Sequence, residues 1–154
     1  PYTTLFRSKK ELLYSGNIID GQVIVNATLK QIQQIRDNTP NAIVAYASNF
    51  LGTPYVWGAN GPQFFDCSGF MQYIYAHFGV SLSRTTFTQI KEGTYVARED
   101  LQPGDLIFFG TASNPHHVGM YVGNNSYIQA PHTGDVIKVS ALTRGDYLTA
   151  RRVK

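Results

Sequence analysis

The chain has 154 residues, a length typical of one domain and sufficient to bury a hydrophobic core. Hydrophobic residues make up 43% of the chain and charged residues 15%, which excludes an intrinsically disordered segment. The net charge of +3 is too small for a nucleic-acid footprint, but it suits contact with an anionic cell surface. No apolar run reaches the roughly 18 residues that a membrane-spanning helix needs.

The beginning of the chain gives no targeting information. It starts with Pro1 rather than Met, and it has no basic segment followed by an apolar stretch, so no signal peptide is recognised. We therefore expect a processed or shortened form of a longer protein, in which an upstream domain could precede Pro1.

The chain divides near Pro40. Residues 1–39 contain short apolar pairs joined by turns, and no catalytic or ligand-binding motif is recognised in them. We therefore assign them as an extension or linker of unknown role. Thr39 and Pro40 are typical of a helix start and predict a helix that Gly52 ends. Further helices are predicted over residues 67–78 and, shorter, over 85–92. Residues 40–154 form the main domain.

From Leu106 onward the pattern indicates strands. The predicted strands cover residues 106–109, 117–123, 127–130, 136–139 and 148–153, with short turns between them. Helices followed by strands favour an α+β domain, with helices packed on an antiparallel sheet of about five to six strands.

The chain contains a single cysteine, Cys67, which excludes an intrachain disulfide and a multi-thiolate metal site. Cys67 lies where a glycine-rich loop meets the predicted second helix. A helix N-terminus favours the thiolate, and an added imidazolium can lower the pKa of a thiol to about 3.5–7.5. From position alone, Cys67 is equally compatible with a buried structural residue and with a nucleophile.

His117 is the favoured base among the four histidines. It begins a strand on which Val118, Met120 and Val122 form the apolar face. His117 shares the other face with two glycines, which we expect to leave room for a substrate. His77 lies about 15 Å along the helix from Cys67 and is assigned to the helix C-terminus.

The strand register suggests a third residue. A two-residue Asn124-Asn125 turn would place Gln129 on the apolar face. A three-residue loop over 123–125 keeps that face apolar and is therefore preferred. It places Gln129 diagonal to His117, where an amide oxygen could fix the tautomer of the imidazole. His132 remains the alternative, either as the orienting residue or as a substrate-binding residue.

Five ordered segments resemble the NlpC/P60 family of cell-wall cysteine peptidases, and the resemblance covers roughly residues 40–153. The segments are GTPYVWG (52–58), DCSGF (66–70), SRTT (83–86), PGDLIFF (103–109) and HVGMYVG (117–123). The resemblance implies a papain-like α+β fold. It also implies hydrolysis of the peptidoglycan stem peptide, usually between γ-linked D-glutamate and the following diamino acid.

The resemblance also implies roles for individual residues. Cys67 is the expected nucleophile, His117 the general base and acid, and Gln129 the orienting residue, although the family commonly has His at that third place. The expected substrate-binding residues share the cleft around Cys67, with Tyr55 near the developing oxyanion and Asp66 at the free amine of the substrate. The others are Ser68, Ser83, Arg84 and His132.

The implied mechanism needs no metal and no cofactor. The expected partner is the peptidoglycan stem peptide, and the expected location is outside the cell or in the wall of a bacterium. A metal site built from Cys67 and two histidines is a less favoured interpretation of the same residues. An acyl transferase or amidase using the same Cys-His pair, and a catalytically silent wall-binding module, are the alternative functions.

Overall fold

The computed structural model describes residues 41–154, together with the single residue Lys30. The predicted extension over 1–39 lies outside this range, Lys30 apart. Within 41–154, three α-helices and two 3-10 turns accompany six strands. The helices are α1 (Ala42–Ala47), α2 (Cys67–His77) and α3 (Thr86–Gln89), and the 3-10 turns are Ser48–Phe50 and Arg98–Asp100. The strands are β1 (Thr94–Tyr95), β2 (Leu106–Thr111), β3 (Asn114–Gly123), β4 (Ser126–Gln129), β5 (Lys138–Ala141) and β6 (Tyr147–Arg152).

The six strands form one antiparallel sheet in the order β1-β6-β2-β3-β4-β5. The long strand β3 lies near its centre, and α2 and α3 both pack against β3. This arrangement confirms the predicted α+β class of helices on an antiparallel sheet. No helix in the described part of the chain is long and apolar enough to cross a membrane.

Two apolar layers cover the two faces of the sheet. The main core lies between the helices and the sheet, and it contains Phe70, Met71 and Ile74 of α2 against Val118 and Met120 of β3. A smaller core on the opposite face is built from Ile107, Phe109, Tyr127 and Leu142. Because both faces are covered, β3 is continuously buried from His117 to Met120.

The first helix begins later than predicted. Asn41 is its N-cap, since the side-chain oxygen of Asn41 accepts hydrogen bonds from the amides of Ile43 and Val44 at 2.9 and 3.1 Å. The prediction of Thr39 as N-cap is therefore wrong for the helix that the structure describes, and Thr39 itself lies outside the described residues. Asn41 also donates to the carbonyl oxygen of Pro103, which ties the helix start to the turn before β2.

The β3–β4 hairpin has the predicted ladder with a different turn. Met120 pairs with Ile128 and Tyr121 with Tyr127, which confirms the register that keeps one face apolar. The turn itself has two residues, Asn124 and Asn125, both with positive φ (51° and 54°), as a tight hairpin requires. A register shift at Val122 supplies the extra residue, so the two-residue turn and the predicted ladder coexist.

Candidate active site

The helix α2 places Cys67 at its first position. Asp66 is the N-cap, and its Oδ1 accepts the amide of Gly69 at 2.7 Å, which satisfies one of the free donors of the first turn. Gly69 is required here, because a Cβ at this position would lie 2.3 Å from the carbonyl oxygen of Ala59. Helix α2 runs to His77, which confirms the predicted helix to within a residue.

The Cys67 thiol is largely enclosed, and its pKa is raised. Burial is the main cause, and the negative charge of Asp66 adds to it. The backbone amides of Val118, Ser68 and Cys67 oppose this effect by hydrogen bonding to the sulfur, but they do not reverse it. The expectation that the helix start lowers the pKa of this thiol is therefore wrong for this state of the protein.

The amide of Val118 matters for geometry because Val118 follows His117 in β3. Cys67 packs against the core cluster that contains Val118, so the thiol lies near the part of β3 that carries the imidazole. No hydrogen bond joins the thiol to the His117 ring within residues 41–154. Catalytic hydrogen bonds often form only when a substrate binds, so the absence of this bond does not exclude His117 as the base.

The His117 ring is paired with Gln129. Its Nε2 lies 2.7 Å from Oε1 of Gln129, and both side chains are buried. An amide oxygen can only accept, so Nε2 carries the proton and Nδ1 keeps its lone pair. Burial lowers the pKa of His117 to about 4, although the bond to Gln129 acts in the opposite direction. The ring is therefore neutral at pH 7 and able to take a proton at Nδ1.

The face of β3 that carries His117 is filled at Gly119 by a neighbouring side chain. A Cβ on Gly119 would lie 2.7 Å from the ring of Tyr127, so this glycine makes room for a core tyrosine. Phe109 packs against the His117 ring, with 5.6 Å between ring centroids. The prediction that the two glycines leave space for a substrate is wrong for Gly119. Gly123 has a φ of +96° and is the last residue of β3 before the hairpin turn.

Several of the predicted substrate-binding residues meet at Asp66. Arg84 forms a bidentate pair with the Asp66 carboxylate at 3.0 and 2.8 Å, and the same guanidinium donates to the hydroxyl of Ser68. The second Asp66 oxygen also accepts the amide of Gly58 at 3.1 Å. The carboxylate thus already has donors on both oxygens, and its charge is balanced by Arg84.

Two further predicted residues lie near this cluster: Tyr55 interacts with the charges of Asp66 and Arg84, and Ser83 precedes Arg84 in the chain. Burial raises the pKa of Tyr55 to about 12, and the neighbouring Cys67 and Asp66 add to the effect. Its hydroxyl therefore stays protonated and can donate. The Ser83 hydroxyl donates to Thr88 at 2.7 Å, and the Ser83 amide bonds to the Glu92 carboxylate. These contacts hold the segment from which Arg84 extends.

His132 is not brought to the pair. Its side chain is 73% exposed, and its ring contacts the Thr133 carbonyl oxygen and the Asp135 carboxylate. His117 is instead contacted by Gln129, as the strand register predicts. The structure adds Ser140, whose Oγ lies 2.9 Å from Nε2 of Gln129. Sequence reasoning missed Ser140 because it did not pair the fourth and fifth strands; the register of that pair was the signal that could have found it.

The family model for the NlpC/P60 family matches residues 52–153, which include Cys67, His117 and Gln129. The chain belongs to the NlpC/P60 family. Relatives support this membership over the same region. A Listeria seeligeri protein named "Probable endopeptidase p60" is 48% identical over 92 residues, 60% of this chain and 18% of its own length.

A Bacillus subtilis gamma-D-glutamyl-L-lysine dipeptidyl-peptidase is 39% identical over 112 residues. That match covers 71% of this chain and 38% of the Bacillus protein. The NlpC/P60 chain therefore corresponds to a minor part of both relatives.

A solved structure gives the same fold. The crystal structure of the NlpC/p60 domain of the peptidoglycan hydrolase SagA superimposes with a TM-score of 0.68 and 38% identity. The similarity covers 72% of this chain and 96% of the SagA domain.

Proposed function

We propose that this domain hydrolyses the stem peptide of peptidoglycan, with Cys67 as the nucleophile. The bond between γ-D-glutamate and the following diamino acid is the proposed target. One observation carries the proposal: His117, buried and hydrogen-bonded to Gln129, lies on β3, the strand against which α2 packs with Cys67 at its first position. The relative named gamma-D-glutamyl-L-lysine dipeptidyl-peptidase supports the choice of bond.

The first step starts from a neutral thiol and a neutral imidazole. The raised pKa of Cys67 and the lowered pKa of His117 both disfavour a resting thiolate–imidazolium pair. As the sulfur attacks the amide carbon, Nδ1 of His117 takes the thiol proton, and Gln129 accepts from Nε2–H throughout. His117 then protonates the leaving amine, and water hydrolyses the thioester.

The developing oxyanion needs donors near Cys67. The backbone N–H of Cys67 lies at the start of α2, where the helix field favours negative charge. The protonated hydroxyl of Tyr55 is the proposed second donor, because Tyr55 is buried beside Cys67. A donor of this kind contributes roughly 2.7–4 kcal/mol to the transition state.

The free amine of the stem peptide is proposed to bind at Asp66. Because Arg84 already pairs with this carboxylate, the substrate amine would share the carboxylate with the guanidinium. The positive charge of Arg84 would weaken the attraction between the amine and Asp66. Ser68 and Ser83 are proposed to line the same end of the cleft, with His132 at its exposed margin. The peptidoglycan substrate places the proposed site of action outside the cell or in the cell wall.

The test uses purified muropeptides with defined stem peptides, analysed by mass spectrometry. We expect two fragments whose summed mass exceeds that of the substrate by one water, and no cleavage by Cys67→Ala. A transferred group in place of water would indicate an acyl transferase, and release of the whole stem peptide from the sugar an amidase. Absence of any product with the wild-type protein would contradict catalysis and favour a wall-binding module.

A paired substitution tests the orienting residue. Gln129→Ala should lower kcat by roughly a hundredfold, on the scale of a general acid–base contribution. The reason is that no side chain would then hold His117 in the Nε2–H tautomer. His132→Ala is the matched control, since its ring contacts neither His117 nor Gln129. The opposite pattern, with loss in His132→Ala alone, would transfer the orienting role to His132.

A further inference from the structure

Three polar side chains form a continuous row across neighbouring strands. His117 of β3 contacts Gln129 of β4 at 2.7 Å, and Gln129 contacts Ser140 of β5 at 2.9 Å. The register explains the row, because Gln129 pairs with Lys138 and Ser140 lies two residues further along the same face of β5. Ser140 has no role in the chemistry described above.

Gln129 needs a second anchor. A glutamine side chain has several rotatable bonds, and its amide can present either an oxygen or an NH₂ group to the imidazole. Gln129 is only 5% exposed. An NH₂ group buried without a hydrogen-bond partner would destabilise this side-chain position relative to one that reaches water. Within the described residues, the Ser140 hydroxyl is the partner of that NH₂ group.

The anchor has a chemical consequence. When His117 takes the thiol proton it becomes an imidazolium, and both ring nitrogens then donate. Only the oxygen end of the Gln129 amide can accept from Nε2–H in that state. The Ser140 hydroxyl accepts from the NH₂ end of the Gln129 amide, and in this arrangement the oxygen end faces Nε2 of His117, as the imidazolium needs.

We propose that Ser140 is a positioning residue that fixes the Gln129 amide and, through it, the Nε2–H tautomer of His117. The kinetic part of this inference rests on the proposed peptidase function. The tautomer part does not, because it concerns the ring in the resting protein.

The first experiment is a long-range proton–nitrogen NMR correlation spectrum at pH 7, with the His117 signals assigned by comparison with His117→Gln. We expect the Nε2–H tautomer in the wild type and in Ser140→Thr, and a mixture of tautomers in Ser140→Val. Thr and Val have the same shape and both suit a strand, so the pair isolates the hydroxyl from packing. A pure Nε2–H tautomer in a folded Ser140→Val would overturn the proposal, whether or not the protein cleaves muropeptides.

The second experiment measures kcat and KM on the muropeptide. Ser140→Val should lower kcat roughly fivefold to tenfold with KM unchanged, and Ser140→Thr should restore it. In a Gln129→Ala background, Ser140→Val should have no further effect. Ser126→Ala, in the neighbouring strand β4, is the control and should leave kcat unchanged. An equal loss in the Gln129→Ala background would show that Ser140 acts on stability rather than through Gln129.

Discussion

At the scale of single residues, His117, the proposed base, is held in an uncharged form. His117 is enclosed by Phe109, Gln129 and the sheet, and burial outweighs the stabilising bond to Gln129. Arg144 also lowers the pKa of this ring; its guanidinium lies over the Phe109 ring at 4.4 Å. A neutral His117 is what a reaction that begins with a protonated thiol requires.

The lowered pKa of His117 predicts a pH-dependent stability. Between about pH 4 and the ordinary value of 6.5, the unfolded chain binds a proton that the folded chain does not. The contribution is therefore complete above pH 6.5 and is lost as the pH falls toward 4, by about 3 kcal/mol in total. Urea unfolding across this range should show the slope in the wild type.

The control for this prediction is His117→Gln, which cannot titrate. Its free energy of unfolding should fall less steeply between pH 6.5 and 4, since only the other groups contribute. The same slope in both proteins would show that His117 is not buried in its neutral form. The hydrolysis rate of the wild type should likewise hold until the pH approaches about 4, where the ring becomes protonated.

At the scale of elements, the ion pair between Arg84 and Asp66 connects the segments around Cys67. Arg84 contacts three residues in two segments: Asp66 and Ser68 at the start of α2, and the Ala59 carbonyl oxygen in the loop before it. The Asp66 side chain is 10% exposed and that of Arg84 33%. Removing one partner of such a pair leaves a charge with little access to water, which costs more than the loss of a surface ion pair.

Arg84→Met should therefore destabilise the fold by about 1–3 kcal/mol, the range for a buried polar group that loses its partner. It should also raise KM, because the substrate end of the cleft loses its link to α2. The matched control is Lys138→Met, since Lys138 pairs with Asp135 at a site where both side chains are more accessible. Equal shifts of the urea midpoint in the two variants would contradict a special role for Arg84.

The sequence was most informative where the signal is local. The α2 boundaries follow from Asp66 and the apolar stripe, and the β3–β4 register follows from alternation, so the His117–Gln129 contact could be predicted. The burial of His117 could not be predicted, because it depends on Phe109, which packs on its ring from another strand. The sign of the Cys67 pKa shift was missed for the same reason: enclosure is a property of the assembled fold.

At the scale of the whole molecule, the site is contained in one sheet and the helices on it. Every residue proposed for chemistry or binding lies between Tyr55 and Ser140, inside the matched range 52–153. Exposed apolar side chains concentrate in the loop before α2, where Trp57 is 82% exposed and Val56 and Phe64 are 41% and 44% exposed. The loop therefore presents apolar surface to solvent, while the sheet holds the proposed base, His117, and its hydrogen-bond partner Gln129.

This containment predicts that a chain shortened to residues 40–154 keeps the fold and the activity. The α1 N-cap contacts, from Asn41 to Ile43, Val44 and Pro103, all lie within the shortened chain. We expect the same circular dichroism spectrum, the same thermal midpoint and the same kcat/KM on a defined muropeptide, with Cys67→Ala in the shortened chain as the inactive control. An intact fold with a raised KM would instead assign residues 1–39 to substrate binding. A lowered thermal midpoint would mean that these residues pack on the domain and stabilise it.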